Sequence, residues 1–209
     1  MRVSVAPLRV DSGDAAWRTA FESGPSLPIT DSFDDLESGG RLAWYHGHSL
    51  RLTIRAYGVS RMSGESAPAQ DPWASYGKIL FLDLDGNASV FWTGHRNPQG
   101  LTVDRDGRVQ STEHGPQGVD KLNLIERGGN FGCPFVTSGS PYGSSYWPVG
   151  RGGRDHGRFI KPIHGFVPSI GVSNSIQVRG GESAAWGGDL LAVSLRQRTE
   201  FRSRCAIAG

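Results

Sequence analysis

The segment "TGHRNPQGLTVDRDGRVQSTEHGP", residues 93–116, carries the clearest indication of the fold. Two strand-like runs, "GLTVD" and "RVQSTEH", stand on either side of the turn "RDG". An Asp-Gly pair is a strong signal for a tight hairpin, because such turns need a positive φ that glycine adopts without strain. The segment therefore predicts a β-hairpin, and its two ends are unusually rich in polar side chains.

The same hairpin pattern recurs along the chain. The runs "KILFLDL" and "ASVFWTG" flank "DGN", and "RLAWYHGHSLRLTIRAYG" gives two short runs around a His-Gly-His turn. No stretch sustains a helical period of 3.6 residues, so helix should be scarce. Short strands roughly ten residues apart, joined by tight turns, predict an all-β fold: a sandwich, a barrel or a β-propeller.

Composition agrees with an all-β protein and excludes several classes of function. Glycine supplies 30 of the 209 residues, about twice its usual share, which fits many tight turns. The net charge of +2 gives no electrostatic basis for binding nucleic acid or an anionic membrane. No apolar run approaches the roughly 20 residues of a transmembrane helix. The opening "MRVSVAPLRVDSGDAAW" also lacks the apolar core of a signal peptide.

The two cysteines, Cys133 and Cys205, are too few for a disulfide framework. They could form one disulfide or remain reduced. We favour a buried free thiol, because free cysteine behaves as a small apolar residue.

Two clusters at the ends of the hairpin in residues 93–116 are candidate sites. Arg96, Asn97 and Gln99 surround a proline, and they are either donors for an anionic ligand or a loop held by arginine-to-carbonyl bonds. At the other end, Gly115-Pro116 is either an ordinary turn or a set of outward carbonyls that binds Ca²⁺ with nearby carboxylates. The residue types alone leave both pairs of alternatives open.

Two further groups have simpler interpretations. His46 and His48 could hold a metal from one face of a strand, but no third ligand stands near them in the sequence, and a surface turn is favoured. Several arginines crowd the C-terminal end, where solvated charge at a strand edge is the default and an anionic ligand the alternative. They are Arg196, Arg198, Arg202 and Arg204.

Three motifs in the same order resemble one family. "GHRNPQGL", "STEHGPQGVDKLNLIERGGNFGCP" and "PSIGVSN…GDLLAVSLR" are similar to the glucose/sorbosone dehydrogenases, the soluble PQQ-dependent aldose sugar dehydrogenases. The resemblance runs from about Glu37 to Arg202. It implies a six-bladed β-propeller that oxidises the C1 hydroxyl of a sugar, with PQQ as hydride acceptor and Ca²⁺ beside it.

The resemblance also implies roles for individual residues. Arg96 and Asn97 would donate to the quinone oxygens of PQQ, with Gln99 in the same motif. The backbone carbonyls of Gly115 and Pro116 would hold the PQQ-bound Ca²⁺. Arg196 stands where the family has a lysine that contacts PQQ, which keeps the positive charge but changes its geometry.

Some positions depart from the family pattern. The catalytic base of the family is a histidine, and Glu37 stands in its place; a glutamate could serve as base if burial raised its pKa. The aspartate that partners this histidine is replaced by Ala56. Lys121 replaces a common acid, Cys133 a tryptophan and Phe131 a tyrosine. The sequence therefore predicts cofactor binding more firmly than turnover.

Length sets the expected extent of the propeller. At about 40 to 50 residues a blade, 209 residues supply roughly four blades, so we expect an incomplete propeller. Residues 1–36 match the family poorly, and residues 37–209 form the expected propeller domain.

The sugar and the electron acceptor are left undefined, and the family implies a periplasmic or secreted protein. A non-catalytic or truncated propeller that binds a partner is the alternative function.

Overall fold

The computed structural model describes residues 1–7, 15–24, 39–47, 49–56, 67–140, 156–181 and 183–204. These residues form β-strands and one short 3-10 helix, Ala184–Trp186. The strands are β1 Arg2–Val5, β2 Arg18–Glu22, β3 Gly39–Tyr45, β4 Ser49–Ile54, β5 Lys78–Asp83, β6 Ala88–Trp92, β7 Pro98–Val103, β8 Val109–Glu113, β9 Asp120–Ile125, β10 His164–Phe166, β11 Val172–Gln177, β12 Leu190–Ser194 and β13 Glu200–Ser203.

The strands form antiparallel sheets in which strands consecutive in the chain are neighbours. β3 to β6 make one four-stranded sheet and β7 to β10 another. β11 to β13 make a three-stranded sheet, and β1 pairs with β2. Four-stranded meanders of this kind are the blades of a β-propeller. The expectation of an incomplete propeller is confirmed, with two four-stranded blades and two smaller sheets among the described residues.

The first strands of successive blades lie side by side. β7 packs against β3 on one side and against β11 on the other. The hydrophobic core is divided between the sheets: one cluster joins the first two blades through Ile79, Trp92 and Leu101. A second joins the β7–β10 blade to the β11–β13 sheet through Leu122 and Val172. Each blade is therefore stabilised mainly by burial of apolar side chains against its neighbours.

Tight turns connect the strands as the sequence predicts. Gly86 and Gly107 occupy the β5–β6 and β7–β8 turns with φ of 97° and 79°, a region open to glycine at little cost. Strand β2 was not expected, because residues 18–22 show weak alternation. Its partner β1 places Val3 in a core cluster with Leu52 and Ile54 of the first four-stranded blade.

Candidate functional site

The topology brings most of the sequence-predicted site residues to one end of the blades. In an antiparallel meander, the start of the first strand and the end of the second lie at the same end of the sheet. Arg96 and Asn97 immediately precede β7, and Gly115 and Pro116 follow β8. Arg196 follows β12 in the same way. Glu37, the predicted catalytic base, lies outside the described residues and its role stays a prediction.

Arg96 joins the two ends of the β7–β8 hairpin. Its Nη1 atom donates to the carbonyl oxygens of His114 and Gly115, at 3.2 and 3.1 Å. Its backbone amide donates to Oε1 of Glu113 at 2.8 Å. The loop held by arginine-to-carbonyl bonds is therefore present, and the half-buried guanidinium places a fixed positive charge beside the Gly115 carbonyl.

Glu113 is a fully buried carboxylate at the centre of these contacts. Besides the Arg96 amide, Oε1 accepts from Nζ of Lys121 at 2.9 Å. Oε2 lies 3.0 Å from both Nδ1 of His95 and Nδ2 of Asn123. Burial on its own would raise the pKa of Glu113, but the Lys121 ammonium and the His95 hydrogen bond outweigh it and hold the pKa below its ordinary value. The carboxylate is therefore ionised and internally satisfied.

His95 is neutral and buried beside this carboxylate. Its ring stacks on Phe131 with centroids 4.5 Å apart, and no part of the side chain is exposed. Burial lowers the pKa of His95, because the charged imidazolium would lose its hydration. The neutral ring donates from Nδ1 to Glu113. Its Nε2 atom has no hydrogen-bond partner among the residues that the structure describes.

Asn97 and Gln99 differ in exposure. The Asn97 side chain is fully buried, and its Oδ1 accepts from Nε2 of Gln99 at 2.7 Å. Gln99 is half-buried and so nearer the surface. The carbonyl of Asn97 accepts from the backbone amide of His114 at 3.0 Å, a further bond across the hairpin ends. The structure brings both residues next to Arg96, while their contact with a cofactor stays a prediction.

Gly115 and Pro116 are both buried in the loop after β8. A Cβ atom on Gly115 would lie 1.8 Å from the Val119 carbonyl oxygen, so the loop has room only for glycine. Calcium takes six to eight oxygen ligands. The two carbonyls fit part of such a set, and further oxygens would have to come from a cofactor or water.

The carboxylates near this loop are used by the protein itself. Both oxygens of Glu113 accept hydrogen bonds from protein donors. Asp120 accepts from the backbone amides of Ile170 and Val172 at 3.0 Å and from that of Gly115 at 3.4 Å. Glu113 and Asp120 thus have structural roles in this loop, and their suggested part in a calcium site stays a prediction. Across the described ranges, no group of three or more His, Cys, Asp or Glu is arranged to hold a metal.

The remaining predicted residues fall at different places. Ala56 is buried, and its amide donates to the Arg96 carbonyl at 2.9 Å, so the alanine lies beside the candidate site. Arg196 is exposed, and its amide donates to the Ile170 carbonyl at 3.2 Å. Arg202 pairs with Asp189 at 2.5 Å. That arginine is therefore a structural partner within the third sheet.

Other expectations concern the cysteines and histidines. Cys133 is buried and free, as predicted, and burial raises the pKa of its thiol to about 11. Its suggested partner Cys205 lies outside the described residues, as does His48. The His46 ring packs over Gly107, with Nε2 2.6 Å from the position that a Cβ atom there would take. Among the described residues no helix is long and apolar enough to span a membrane.

Sequence reasoning missed the central role of Glu113 and Lys121. The two residues are direct cross-strand partners in the β8–β9 register. Such partners have neighbouring side chains, so a lysine opposite a glutamate indicates an ion pair once the register is known. The sequence around His95 did not indicate that it is buried, because Phe131, on which its ring stacks, lies far along the chain.

Comparisons with known proteins agree with this fold. The sequence profile of the Glucose / Sorbosone dehydrogenase family matches residues 27–206. Quinoprotein glucose dehydrogenase B of Acinetobacter calcoaceticus is 40% identical over 72 residues, in an alignment that covers 29% of this chain and 15% of that protein. A glucose dehydrogenase crystal structure is 27% identical, with a TM-score of 0.80 over 96% of this chain and 59% of that one.

A more distant structure shares the fold. The PQQ-bound form of aldose sugar dehydrogenase from Streptomyces coelicolor is 23% identical, with a TM-score of 0.61 over 94% of this chain and 51% of that one. The chain thus spans less than two thirds of the length of these structures. Because the family profile covers most of its residues, the chain belongs to the glucose/sorbosone dehydrogenase family.

Proposed function

We propose that this protein takes part in the PQQ- and Ca²⁺-dependent oxidation of an aldose at its C1 hydroxyl. The observation that carries the proposal is the contact of the Arg96 guanidinium with the Gly115 carbonyl, at 3.1 Å. This contact puts a cation and a metal-binding type of oxygen side by side at one end of the blades. PQQ is both anionic and metal-chelating, so it would use both features.

Each residue has a distinct part in this proposal. When bound, the quinone supplies a carbonyl that accepts hydride from the sugar C1. Arg96 and Asn97 would donate to the quinone oxygens and stabilise negative charge there, and Gln99 would hold the Asn97 side chain through its bond to Oδ1. Gly115 and Pro116 offer carbonyl oxygens to Ca²⁺. Glu37 takes the proton of the C1 hydroxyl, so that the sugar loses a hydride and a proton and becomes a lactone.

Reconstitution tests this function. The protein is incubated with PQQ and Ca²⁺, aldoses are supplied, and reduction of a dye acceptor is followed. We expect sugar-dependent dye reduction that a chelator abolishes and that Glu37→Gln lowers at least tenfold. The absence of dye reduction at saturating PQQ and Ca²⁺ would contradict the proposal that this chain is an enzyme.

A second function is favoured by one observation. Ala56 is buried beside the Arg96 carbonyl, and the resemblance to the family implies a catalytic aspartate at its position. A propeller without this carboxylate could bind a partner and catalyse nothing. This alternative predicts that PQQ with Ca²⁺ causes no rise in melting temperature, whereas the enzyme proposal predicts a rise that grows with cofactor concentration.

A further inference from the structure

Two short segments, residues 95–97 and 113–115, hold each other by reciprocal bonds. The Glu113 carboxylate accepts from the Arg96 amide at 2.8 Å. The Arg96 guanidinium donates back to the carbonyls that immediately follow Glu113 in the chain. A third bond runs from the His114 amide to the Asn97 carbonyl, at 3.0 Å. Backbone and side chain of Arg96 are therefore both fixed against the end of β8.

The carboxylate that fixes Arg96 faces no ligand itself. It is fully buried, and each of its oxygens accepts from two protein donors. Lys121, which is also buried, provides the opposite charge at 2.9 Å. An ionised carboxylate removed from water needs such a partner, since an unpaired charge would be very costly. Glu113 therefore acts on a ligand only through the groups that it holds, and of these Arg96 is the one that also donates to the Gly115 carbonyl.

We propose that Glu113 is a positioning residue, with Lys121 as its counter-ion, which holds the Arg96 guanidinium against the Gly115 carbonyl. The inference rests on the proposed function for its ligand, PQQ with Ca²⁺. The pair sets the affinity of this site because a preplaced guanidinium loses less freedom on binding.

The first test is Glu113→Gln, which keeps the shape and removes the charge. The side-chain NH2 group of the new glutamine, placed where Oε2 was, would face the donors Asn123 Nδ2 and His95 Nδ1 and could not accept their hydrogen bonds. We expect hydrogen exchange at the amides of Arg96 and His114 to become at least tenfold faster. We also expect the Kd for PQQ, titrated by absorbance with Ca²⁺ present, to rise at least tenfold. Glu126→Gln is the matched control, since that side chain is exposed at the end of β9.

A double variant separates positioning from stability. Glu113→Gln with Lys121→Met leaves no unpaired buried ammonium, so we expect it to recover much of the stability that Glu113→Gln loses. The Kd for PQQ should nevertheless stay at least tenfold weaker, because the Arg96 amide still lacks its charged acceptor. A Kd that recovers along with the melting temperature would show that Glu113 is only structural.

The exchange measurement does not depend on the cofactor. Faster exchange confined to Arg96 and His114 supports the positioning role, whereas a uniform increase across β7 to β9, or no change, overturns it. If the wild-type protein binds no PQQ, the proposed function fails, while the exchange data still test whether Glu113 positions Arg96. If the wild type binds PQQ and Glu113→Gln binds it equally well, the positioning proposal alone fails.

Discussion

The carbonyl oxygen of Val119 occupies the space beside Gly115 where any other residue would carry a Cβ atom. The distance from this oxygen to an ideal Cβ at Gly115 is 1.8 Å, less than any real contact. The obstruction is backbone, so no side-chain rotation can relieve it. The loop that presents the Gly115 carbonyl beside Arg96 is thus compatible with glycine alone.

Gly115→Ala should therefore shift this loop. We expect it to reduce the free energy of unfolding by about 3 kcal/mol, as for other overpacked buried sites. It should also weaken the Ca²⁺-dependent binding of PQQ, since the Gly115 carbonyl would move. Urea denaturation and cofactor titration measure the two effects. The control is Gly165→Ala in β10, where the added Cβ would make an ordinary 3.4 Å contact. Equal stability of the two variants would contradict the prediction.

Charge reversal at Lys121 should be strongly destabilising. Lys121→Glu places a second carboxylate against Glu113 in a buried position and removes the counter-charge. Breaking a buried pair in this way costs about 4 kcal/mol. We expect urea denaturation to show that loss, and Lys161→Glu at an exposed position to show little.

The acid dependence of Lys121→Glu is a further check on the same contact. Two neighbouring carboxylates raise each other's pKa, so one is protonated more readily in the folded state than in the unfolded chain. The stability deficit relative to the wild type should therefore shrink as the pH falls from neutral towards about 4. A deficit that is constant over this range would place the new carboxylate away from Glu113.

The sequence predicts the fold here better than it predicts the site. The Asp-Gly turns at Gly86 and Gly107 are local signals, and they give the strand order correctly. The bond between His95 and Glu113, and the contact of Arg96 with Gly115, join residues about 18 positions apart. Such contacts depend on strand register and on packing between blades, which a single sequence does not state. The family motifs mark these positions, but the pairing with Lys121 becomes visible only in three dimensions.

An amide pair should contribute to the packing of the first two blades. Gln70 and Asn130 donate to each other, at 3.1 and 2.7 Å, and Gln70 also donates to the Cys133 carbonyl at 2.6 Å. Gln70→Ala would remove the acceptor of Asn130 Nδ2 and a donor to the Cys133 carbonyl, at a cost of about 2 kcal/mol, while Asn130 Oδ1 keeps its bond from the Gly132 amide. Gln117→Ala, at an exposed position, is the control. Similar melting temperatures for the two variants would argue against a stabilising role for the pair.

The buried Lys78 should make stability rise with alkaline pH. Its Nζ donates to the carbonyls of Pro68 and Tyr76, and burial lowers its pKa from 10.5 to about 8. Between these two values the unfolded chain holds a proton that the folded protein has released. Stability therefore increases as the pH rises through this window, and the gain is lost as the pH falls back through about 8.

Comparison with Lys78→Met isolates this effect. The variant cannot titrate at this position, so the wild type should gain about 3 kcal/mol relative to it across the window. Denaturant unfolding at several pH values from 7 to 10.5 measures the difference. Lys161→Met removes an exposed ammonium, which is solvated in both states, and the same comparison should then be flat. A flat difference for Lys78→Met as well would mean that the buried ammonium keeps its proton throughout, held by the two carbonyls that it contacts.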